Sequence, residues 1–377
     1  VGREQELALL VQEMEQAAGG HGQIVGLTGE AGMGKSRLVA EAVRLASQRG
    51  WLHYGCECSS YGINTSYHAW HTIWWHFFEL DPAWPLATQV EALQRQLDRI
   101  DPALTPRLPL LGAVLNLPIP DNDLTASFDA KLRKSSLEAL LVECLRARSQ
   151  QAPLLLISEN CQWLDPLSYD LLEVAARAIV TMPVLLLLAY REPQLAYLME
   201  PRISGLDHYT ERELAPFSAE EAQALITLKL NQAHGAALSI PSELVERVAE
   251  RAGGNPFFIG ELLTYLQTQG IDPQDKAALA RLDLPTSLQS LILSRLDQLT
   301  DSPRITLKIA SVVGRSFEAA TLWGYYPSLG SEQQVNESLR SLEQADLTIQ
   351  EAPEPELTYA FRQILTQEVS YESLPFA

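Results

Sequence analysis

The stretch that decides the fold lies between residues 29 and 36 and reads Gly29-Glu30-Ala31-Gly32-Met33-Gly34-Lys35-Ser36. It fits the P-loop pattern, and it stands between a short apolar run at residues 24–27 and helix-spaced apolar residues from Ser36 onward. Glycines let the backbone turn tightly, so that consecutive N–H groups point at phosphate oxygens, and the following helix adds its positive dipole. The segment therefore predicts a nucleotide site in an α/β protein.

Two side chains of the loop have distinct predicted roles. Lys35 would reach the β- and γ-phosphates as a mobile point charge, and the Ser36 hydroxyl would ligate Mg²⁺. The backbone of residues 29–34 would bind the remaining phosphate oxygens. The predicted cofactors are ATP or ADP with Mg²⁺.

A P-loop needs a second strand that ends in an acidic group for the Mg²⁺ shell, and residues 154–160 are the plausible candidate. Glu159 would take the metal side. Asn160 stands where many P-loop ATPases place a second carboxylate, and an amide can orient water but cannot accept its proton. We therefore expect slow or absent hydrolysis with binding retained. A register one residue earlier, with Ser158 at the metal and Glu159 as the second acid, stays open.

Arg191 closely follows another apolar run, residues 184–189. The carboxyl edge of an open α/β sheet is where phosphate ligands bind, so a guanidinium there could sense the γ-phosphate. A surface arginine paired with Glu192 is the alternative. Lys35, Glu159, Asn160 and Arg191 are the predicted catalytic residues.

Near-continuous apolar runs with helices between them predict a doubly wound parallel sheet in a P-loop core over residues 1–205. Dense prolines mark residues 81–130 as an insertion, with a long helix allowed only between residues 88 and 100. A capping box at Ser218 opens a helical lid, residues 206–283. Three helical patterns and two short strand patterns then predict a winged-helix-like domain, residues 284–377.

Composition narrows the class of protein. The 377 residues are 46% hydrophobic and 20% charged, which excludes a disordered chain, a fibre and a disulfide-dense miniprotein. The formal net charge of −19 opposes contact with nucleic acid or anionic lipid. Residues 284–377 hold 6 basic and 12 acidic residues, so we expect the winged helix to pack against protein rather than bind DNA.

Other features favour ordinary structural roles. The four cysteines lack zinc-knuckle spacing and indicate reduced thiols in a cytoplasmic protein. No apolar run is long enough to span a membrane, and the start without Met suggests an excised fragment. The histidines and tryptophans of residues 68–76 predict an aromatic core helix, and Asp165 before Pro166 predicts a helix cap.

The chain resembles, across essentially its whole length, the STAND-type P-loop ATPases, which are signal-transduction ATPases with numerous domains. The closest branch lies beside class III adenylate or guanylate cyclase domains, in some serine/threonine kinases and in large LuxR-type regulators. The motifs that carry the resemblance are Val1-Gly2-Arg3-Glu4, the P-loop continued by Arg37-Leu38, Glu159-Asn160-Cys161-Gln162-Trp163-Leu164-Asp165, Tyr190-Arg191, Gly253-Gly254-Asn255-Pro256-Phe257-Phe258, and the final segment from Tyr359 to Leu374.

The resemblance implies an adenine pocket that the lid closes. It assigns Val1, Gly2, Arg3 and Pro256 to that pocket, and it adds Arg37 to the residues around the phosphates. Two further departures from the family pattern, Gln162 and Gln363, stand where relatives often carry histidine.

Together these observations predict an ATP-binding, slowly hydrolysing switch that regulates attached effector domains, cyclases first among them. The expected partners are ATP and effector domains in the same chain or in partner proteins, with self-association left open and no membrane contact. A hydrolysis-dead, nucleotide-locked scaffold and the ATPase module of a DNA-binding regulator or origin-recognition-type protein are the alternatives.

Overall fold

The computed structural model describes residues 2–192, 195–198, 200–234, 241–271, 284–352 and 357–374. Contacts between Cα atoms divide the chain into two compact units. The core unit consists of Arg3–Glu30 and Gly34–Ala215. The C-terminal unit gathers residues 1–2, Ala31–Met33 and Pro216–Ala377. Val1, residues 272–283 and residues 353–356 are among those outside the described ranges.

The core unit is built on a parallel five-stranded sheet in the order β2-β3-β4-β1-β5. Every residue of β4 is buried, as the near-continuous apolar runs predict for strands covered on both faces. The prediction of a doubly wound parallel sheet is confirmed. The strands are β1 (Gln23–Thr28), β2 (Leu52–Glu57), β3 (Leu154–Glu159), β4 (Val184–Ala189) and β5 (Tyr209–Glu213).

Helices pack around this sheet, and α2 begins at Lys35, directly after the glycine-rich loop. The helix predicted between residues 88 and 100 begins two residues earlier, as α4. The α-helices of the core unit are α1 (Glu4–Ala18), α2 (Lys35–Gln48), α3 (His68–Phe77), α4 (Leu86–Ile100), α5 (Leu111–Leu115), α6 (Ala130–Ser149) and α7 (Pro166–Ala178). Its 3₁₀ turns are Ser60–Asn64, Pro102–Leu110, Thr125–Ser127, Cys161–Trp163, Ile179–Thr181 and Ala196–Leu198.

An aromatic cluster from α3 fills the core beside the sheet. Trp74 and Phe77 are fully buried, with ring centroids 4.9 Å apart, and Trp70 stacks on Trp74. The helix that carries these histidines and tryptophans therefore packs into the core. Among the described residues, no group of three or more His, Cys, Asp or Glu side chains could hold a metal ion.

Asp165 has the capping role that its position before Pro166 predicts. Its Oδ1 accepts hydrogen bonds from the backbone N–H of Ser168 at 3.0 Å and of Tyr67 at 3.1 Å. One buried carboxylate thus satisfies a donor in the first turn of α7 and another next to the start of α3.

The C-terminal unit is largely helical. The capping box at Ser218 is confirmed, because its Oγ accepts from the Glu221 N–H and the Glu221 carboxylate accepts from the Ser218 N–H. The helices are α8 (Ala219–His234), α9 (Ser242–Ala252), α10 (Pro256–Thr268), α11 (Leu288–Asp297), α12 (Asp301–Val313), α13 (Ala319–Tyr325), α14 (Glu332–Gln344) and α15 (Ile364–Glu372), with a 3₁₀ turn at Pro327–Leu329.

A small antiparallel sheet completes the C-terminal unit, in the order β6-β8-β7. Its strands are β6 (Ser316–Glu318), β7 (Thr348–Ala352) and β8 (Thr358–Phe361). The two short strand patterns predicted within residues 284–377 are therefore strands, β7 and β8. The domain boundaries near residues 205 and 283 stay predictions. No helix in the described part of the chain is long and apolar enough to cross a membrane.

Candidate functional site

The glycine-rich loop carries the backbone conformations that its sequence requires. Gly32 and Gly34 have φ of 82° and 95°, in the left-handed region that side chains with a Cβ rarely adopt. A Cβ on Gly32 would also lie 2.7 Å from Oδ1 of Asn255, another residue of the C-terminal unit. Neither position tolerates another residue without strain.

Lys35 begins α2 and turns back over the loop. Its Nζ donates to the carbonyl oxygens of Gly29 at 2.5 Å and Glu30 at 2.8 Å. Burial, and secondly the positive charge of Arg191, lower the pKa of Lys35 to about 8, while Glu159 and Glu30 oppose that shift. The ammonium is thus partly stripped of water, next to the groups predicted to bind phosphate.

The two predicted metal ligands lie together. Burial raises the pKa of Glu159, and the interaction of its carboxylate with the Ser36 hydroxyl opposes that shift. Hydroxyl and carboxylate oxygens are ligands that Mg²⁺ prefers, so this donor set fits that cation. Ser158 is buried instead among thiol groups, within 3.5 Å of Cys58 Sγ, which favours Glu159 over Ser158 at the metal.

The Asn160 side chain is engaged in a hydrogen bond and is therefore not free to orient a water molecule. The residue has a left-handed conformation, with φ of 55°, directly after β3. Its Nδ2 donates to Oε1 of Glu57 at 2.7 Å. Glu57 is the last residue of β2 and lies opposite Glu159 in the β2–β3 ladder. A second carboxylate therefore does stand beside Glu159, but on the neighbouring strand, where sequence reasoning missed it.

Arg191 follows β4 at the carboxyl edge of the sheet, and its positive charge helps to lower the pKa of Lys35. Its backbone N–H donates to Oε1 of Gln162 at 3.2 Å. Gln162 is buried and lies in the 3₁₀ turn that follows Asn160. The sequence suggests no role for Gln162. In the structure this contact joins the segment that follows Glu159 to the segment that contains Arg191.

The remaining predicted residues occupy separate places. Arg3 caps the start of α1 in a left-handed conformation, and its Nη2 donates to the Ala215 carbonyl at 2.7 Å. Arg37 is exposed on α2, whereas Met33 is buried. Gly2 has φ of 68°, and a Cβ there would lie 2.8 Å from the Glu221 carboxylate, so glycine is required.

Pro256 is the first residue of α10, and Asn255 caps this helix. The cap contacts the middle of the glycine-rich loop, residues Ala31–Met33, which belongs to the same compact unit. The Asn255 side chain accepts from the N–H groups of Phe257 and Phe258, and its Nδ2 donates to the Ala31 carbonyl at 2.9 Å. The Phe257 N–H points at the Gly32 carbonyl, 3.3 Å away. Asn255 is therefore a second residue that the sequence analysis left without a role.

Two parts of the chain are similar to known protein families. Residues 1–187 match the family model described as AAA ATPase domain, and residues 218–271 match a domain of unknown function. An uncharacterized protein of Rhizobium meliloti (strain 1021) is 27% identical over 386 residues. The match covers 99% of this chain but 35% of that relative, so the chain spans about a third of its length.

Solved structures give likenesses at low identity. The Aeropyrum pernix ORC1 protein in complex with DNA is 14% identical, with a TM-score of 0.41 over 98% of this chain and 92% of that one. AMPPCP-bound DnaA from Aquifex aeolicus is 12% identical, with a TM-score of 0.38 over 91% and 89%. The P-loop, the parallel sheet and the family match make residues 1–187 similar to AAA ATPase domains and their fold a AAA+ P-loop fold.

Proposed function

We propose that this chain is an ATP-binding switch module of the STAND type, and that its nucleotide state regulates effector domains attached to it. The observation that carries the proposal is the Lys35 ammonium, held over the glycine-rich loop by the Gly29 and Glu30 carbonyl oxygens, together with the interaction of the Ser36 hydroxyl with the Glu159 carboxylate. Two residues more than 120 positions apart in the chain thus meet at the edge of the sheet where a P-loop ATPase holds its metal–phosphate complex.

The chain's own residues would bind a triphosphate in a defined way. The N–H groups of residues 29–34 would donate to the β- and γ-phosphate oxygens, and the Lys35 ammonium would exchange its two carbonyl partners for phosphate. Arg191 would place a further positive charge near the γ-phosphate. When bound, Mg²⁺ would neutralise phosphate charge, held on the protein side by Ser36 and Glu159.

Hydrolysis would be in-line attack of water on the γ-phosphate, and we expect it to be slow. No carboxylate occupies position 160, and the Asn160 amide is engaged by Glu57 at 2.7 Å. This contact also favours the second candidate, a nucleotide-locked scaffold that does not hydrolyse ATP. The two differ in single-turnover phosphate release, which the scaffold lacks.

A regulatory role requires that nucleotide state change the shape of the protein. An ATP form and an ADP form can differ only by as much as the ligand binds one arrangement more tightly than the other. We propose that residues 206–283 form the lid and residues 284–377 a winged-helix-like domain. The relative of which this chain covers 35% has length for further domains, and we propose an effector of the cyclase type.

Replacing Lys35 tests the proposal. We expect Lys35→Ala to weaken binding of Mg²⁺–ATP, measured by titration calorimetry, by about 100-fold, because a charged donor to phosphate is lost. Lys131→Ala, an exposed lysine on α6, is the matched control and should bind as the unaltered protein does. Equal affinity in both variants would refute the proposed site.

A further inference from the structure

Three thiols converge on Ser158, the residue before the predicted metal ligand Glu159. The Sγ atoms of Cys56 and Cys58 each lie 3.5 Å from the Ser158 hydroxyl. Cys161 Sγ lies 3.1 Å from the Ser158 carbonyl oxygen. The Cys58 thiol also interacts with the thiols of Cys161 and Cys56, and all three cysteines are free.

The backbone fixes this cluster at one end of the sheet. Cys56 is paired with Ser158 in the β2–β3 ladder, and the Cys58 N–H donates to the Glu159 carbonyl at 2.8 Å. Cys161 follows the end of β3 by two residues. Cys58 and Cys161 each follow the end of their strand, and their sulfurs contact the same residue, Ser158. A disulfide between them would join the ends of β2 and β3 and requires a Cα separation of about 4.4–6.8 Å.

The three cysteines of the cluster differ in how deeply they are buried. Cys58 is 3% exposed and Cys161 is 8% exposed, whereas Cys56 is half-buried. Cys56 is therefore the most exposed residue of the three, and a dissolved oxidant reaches it more readily than Cys58 or Cys161. The fourth thiol, Cys144, is fully buried on α6 and serves as an internal reference.

We propose that Cys56, Cys58 and Cys161 form an oxidation site, at which a low-molecular-weight disulfide is converted into a Cys58–Cys161 cross-link between the ends of β2 and β3. The Cys56 thiolate attacks one sulfur of the oxidant RSSR, which gives a mixed disulfide on Cys56 and releases one thiolate. The Cys58 thiolate attacks the Cys56 sulfur and expels the second thiolate.

Exchange within the cluster completes the reaction. The Cys161 thiolate attacks Cys58 Sγ and returns Cys56 to its thiolate form. In sum, two protein thiols become one disulfide, one RSSR becomes two RSH, and the thiol protons leave with the released thiolates. Cys56 is thus a relay that is regenerated.

The cross-link would act on the nucleotide site through the chain between its ends. Asn160 lies between Glu159 and Cys161 in a left-handed conformation and is held by Glu57. Drawing Cys161 onto Cys58 changes the backbone at Asn160, and the Glu159 carboxylate moves relative to Ser36. The predicted loss of Mg²⁺–ATP affinity rests on the proposed function, whereas the cross-link itself does not.

Thiol mapping of the full chain tests the cross-link. The reduced protein is incubated with glutathione disulfide, remaining thiols are alkylated, and peptides are separated without reductant. We expect a Cys58–Cys161 peptide, alkylated Cys56 and Cys144, and full reversal by dithiothreitol. Cys56→Ser should form the same link at least about tenfold more slowly, and Cys144→Ser at the unaltered rate.

Variants of the two buried cysteines, Cys58 and Cys161, provide a second test of the cross-link. Cys58→Ala and Cys161→Ser should each lack the Cys58–Cys161 link while retaining the thiol that meets the oxidant. A wild-type protein that accumulates only a mixed disulfide on Cys56, or links between two chains, would overturn the proposal.

Nucleotide titration tests the consequence separately. Oxidised protein should bind Mg²⁺–ATP at least about fivefold more weakly than reduced protein, and dithiothreitol should restore the affinity. Cys161→Ser should show no such loss. A mapped cross-link with unchanged affinity would overturn the regulatory effect. Reduced protein that binds no nucleotide would instead refute the proposed function and leave the mapping result standing.

Discussion

The Asn160–Glu57 pair is the feature that most changes how individual residues are interpreted. By sequence, Asn160 occupies a position that lacks a second acid. In the structure, an acid is present at 2.7 Å, but it belongs to β2 and is engaged by its hydrogen bond to the amide. Substituting aspartate at residue 160 alone would set two carboxylates against each other, and like charges at that distance cannot both stay ionised.

Exchanging the carboxylate and the amide between positions 57 and 160 therefore tests their effect on hydrolysis without setting two carboxylates against each other. We expect the double variant Glu57→Gln/Asn160→Asp, which keeps an amide–carboxylate pair with the partners reversed, to hydrolyse ATP at least about tenfold faster in single turnover. Asn160→Asp alone should gain less and should unfold at lower urea concentration. A double variant no faster than the unaltered protein would show that the residue at 160 does not limit hydrolysis.

At the scale of elements, Asp165 ties two helices with one carboxylate. We expect Asp165→Ala to lower the free energy of unfolding by about 2 kcal/mol, because two buried N–H groups lose their acceptor. Asp129 caps only α6, at an exposed position, through the Leu132 N–H at 2.8 Å. Asp129→Ala is the matched control and should cost about 1 kcal/mol in urea denaturation. Equal losses would mean that the contact with α3 contributes nothing.

The α3 helix also predicts a pH dependence. Burial, and secondly the charge of His68, lower the pKa of His71, while the Ser66 backbone and Asp165 oppose that shift. The folded state therefore binds a proton at His71 less readily than the unfolded chain does. This part of the stability is present above about pH 6.5, the unfolded pKa of histidine, and is lost as pH falls below it.

Replacing the imidazole tests this sign. We expect the urea midpoint of the unaltered protein to fall further between about pH 7.5 and about pH 5.5 than that of His71→Gln, because the variant has no imidazole to protonate at that position. His53→Gln, an exposed position on β2, should follow the unaltered protein. The opposite ranking of the two variants would contradict the lowered pKa of His71.

Sequence reasoning predicted elements well where burial is strong and poorly where it is weak. The bounds of β4 follow directly from its apolar run. By contrast β5, which reads Tyr-Thr-Glu-Arg-Glu, was missed, because an edge strand with exposed residues carries no apolar pattern. The meeting of Ser36 with Glu159 was predicted from motif logic. The Glu57–Asn160 contact was not, because it depends on which strands are neighbours, and local sequence does not encode strand order.

At the scale of the whole molecule, one buried ion pair crosses the predicted boundary at residue 283 inside the C-terminal unit. Arg295 on α11 pairs with Glu261 on α10, and its Nη2 donates to the Ala345 carbonyl at 2.6 Å. The side chains are only 9% and 13% exposed. The helices on the two sides of that boundary are therefore bonded to each other.

Breaking this pair should destabilise the C-terminal unit strongly. We expect Arg295→Met to lower its free energy of unfolding by about 3 kcal/mol, because Glu261 is left as an uncompensated buried charge. The exposed pair of Arg304 with Asp301 provides the control, and Arg304→Met should cost less than about 1 kcal/mol. Adding Glu261→Leu to Arg295→Met should recover most of the loss in urea denaturation.

The place of β2 at the margin of the sheet has a kinetic consequence. Among the five strands it is bonded to β3 alone, so opening one ladder detaches it, whereas β3, β4 and β1 each have two neighbours. Its amide protons should therefore exchange with solvent deuterium through a local opening that leaves the rest of the sheet protected. Because Cys56, Glu57 and Cys58 leave together in that opening, a rare fluctuation of one peripheral strand would uncover the thiols and release Asn160 in a single event.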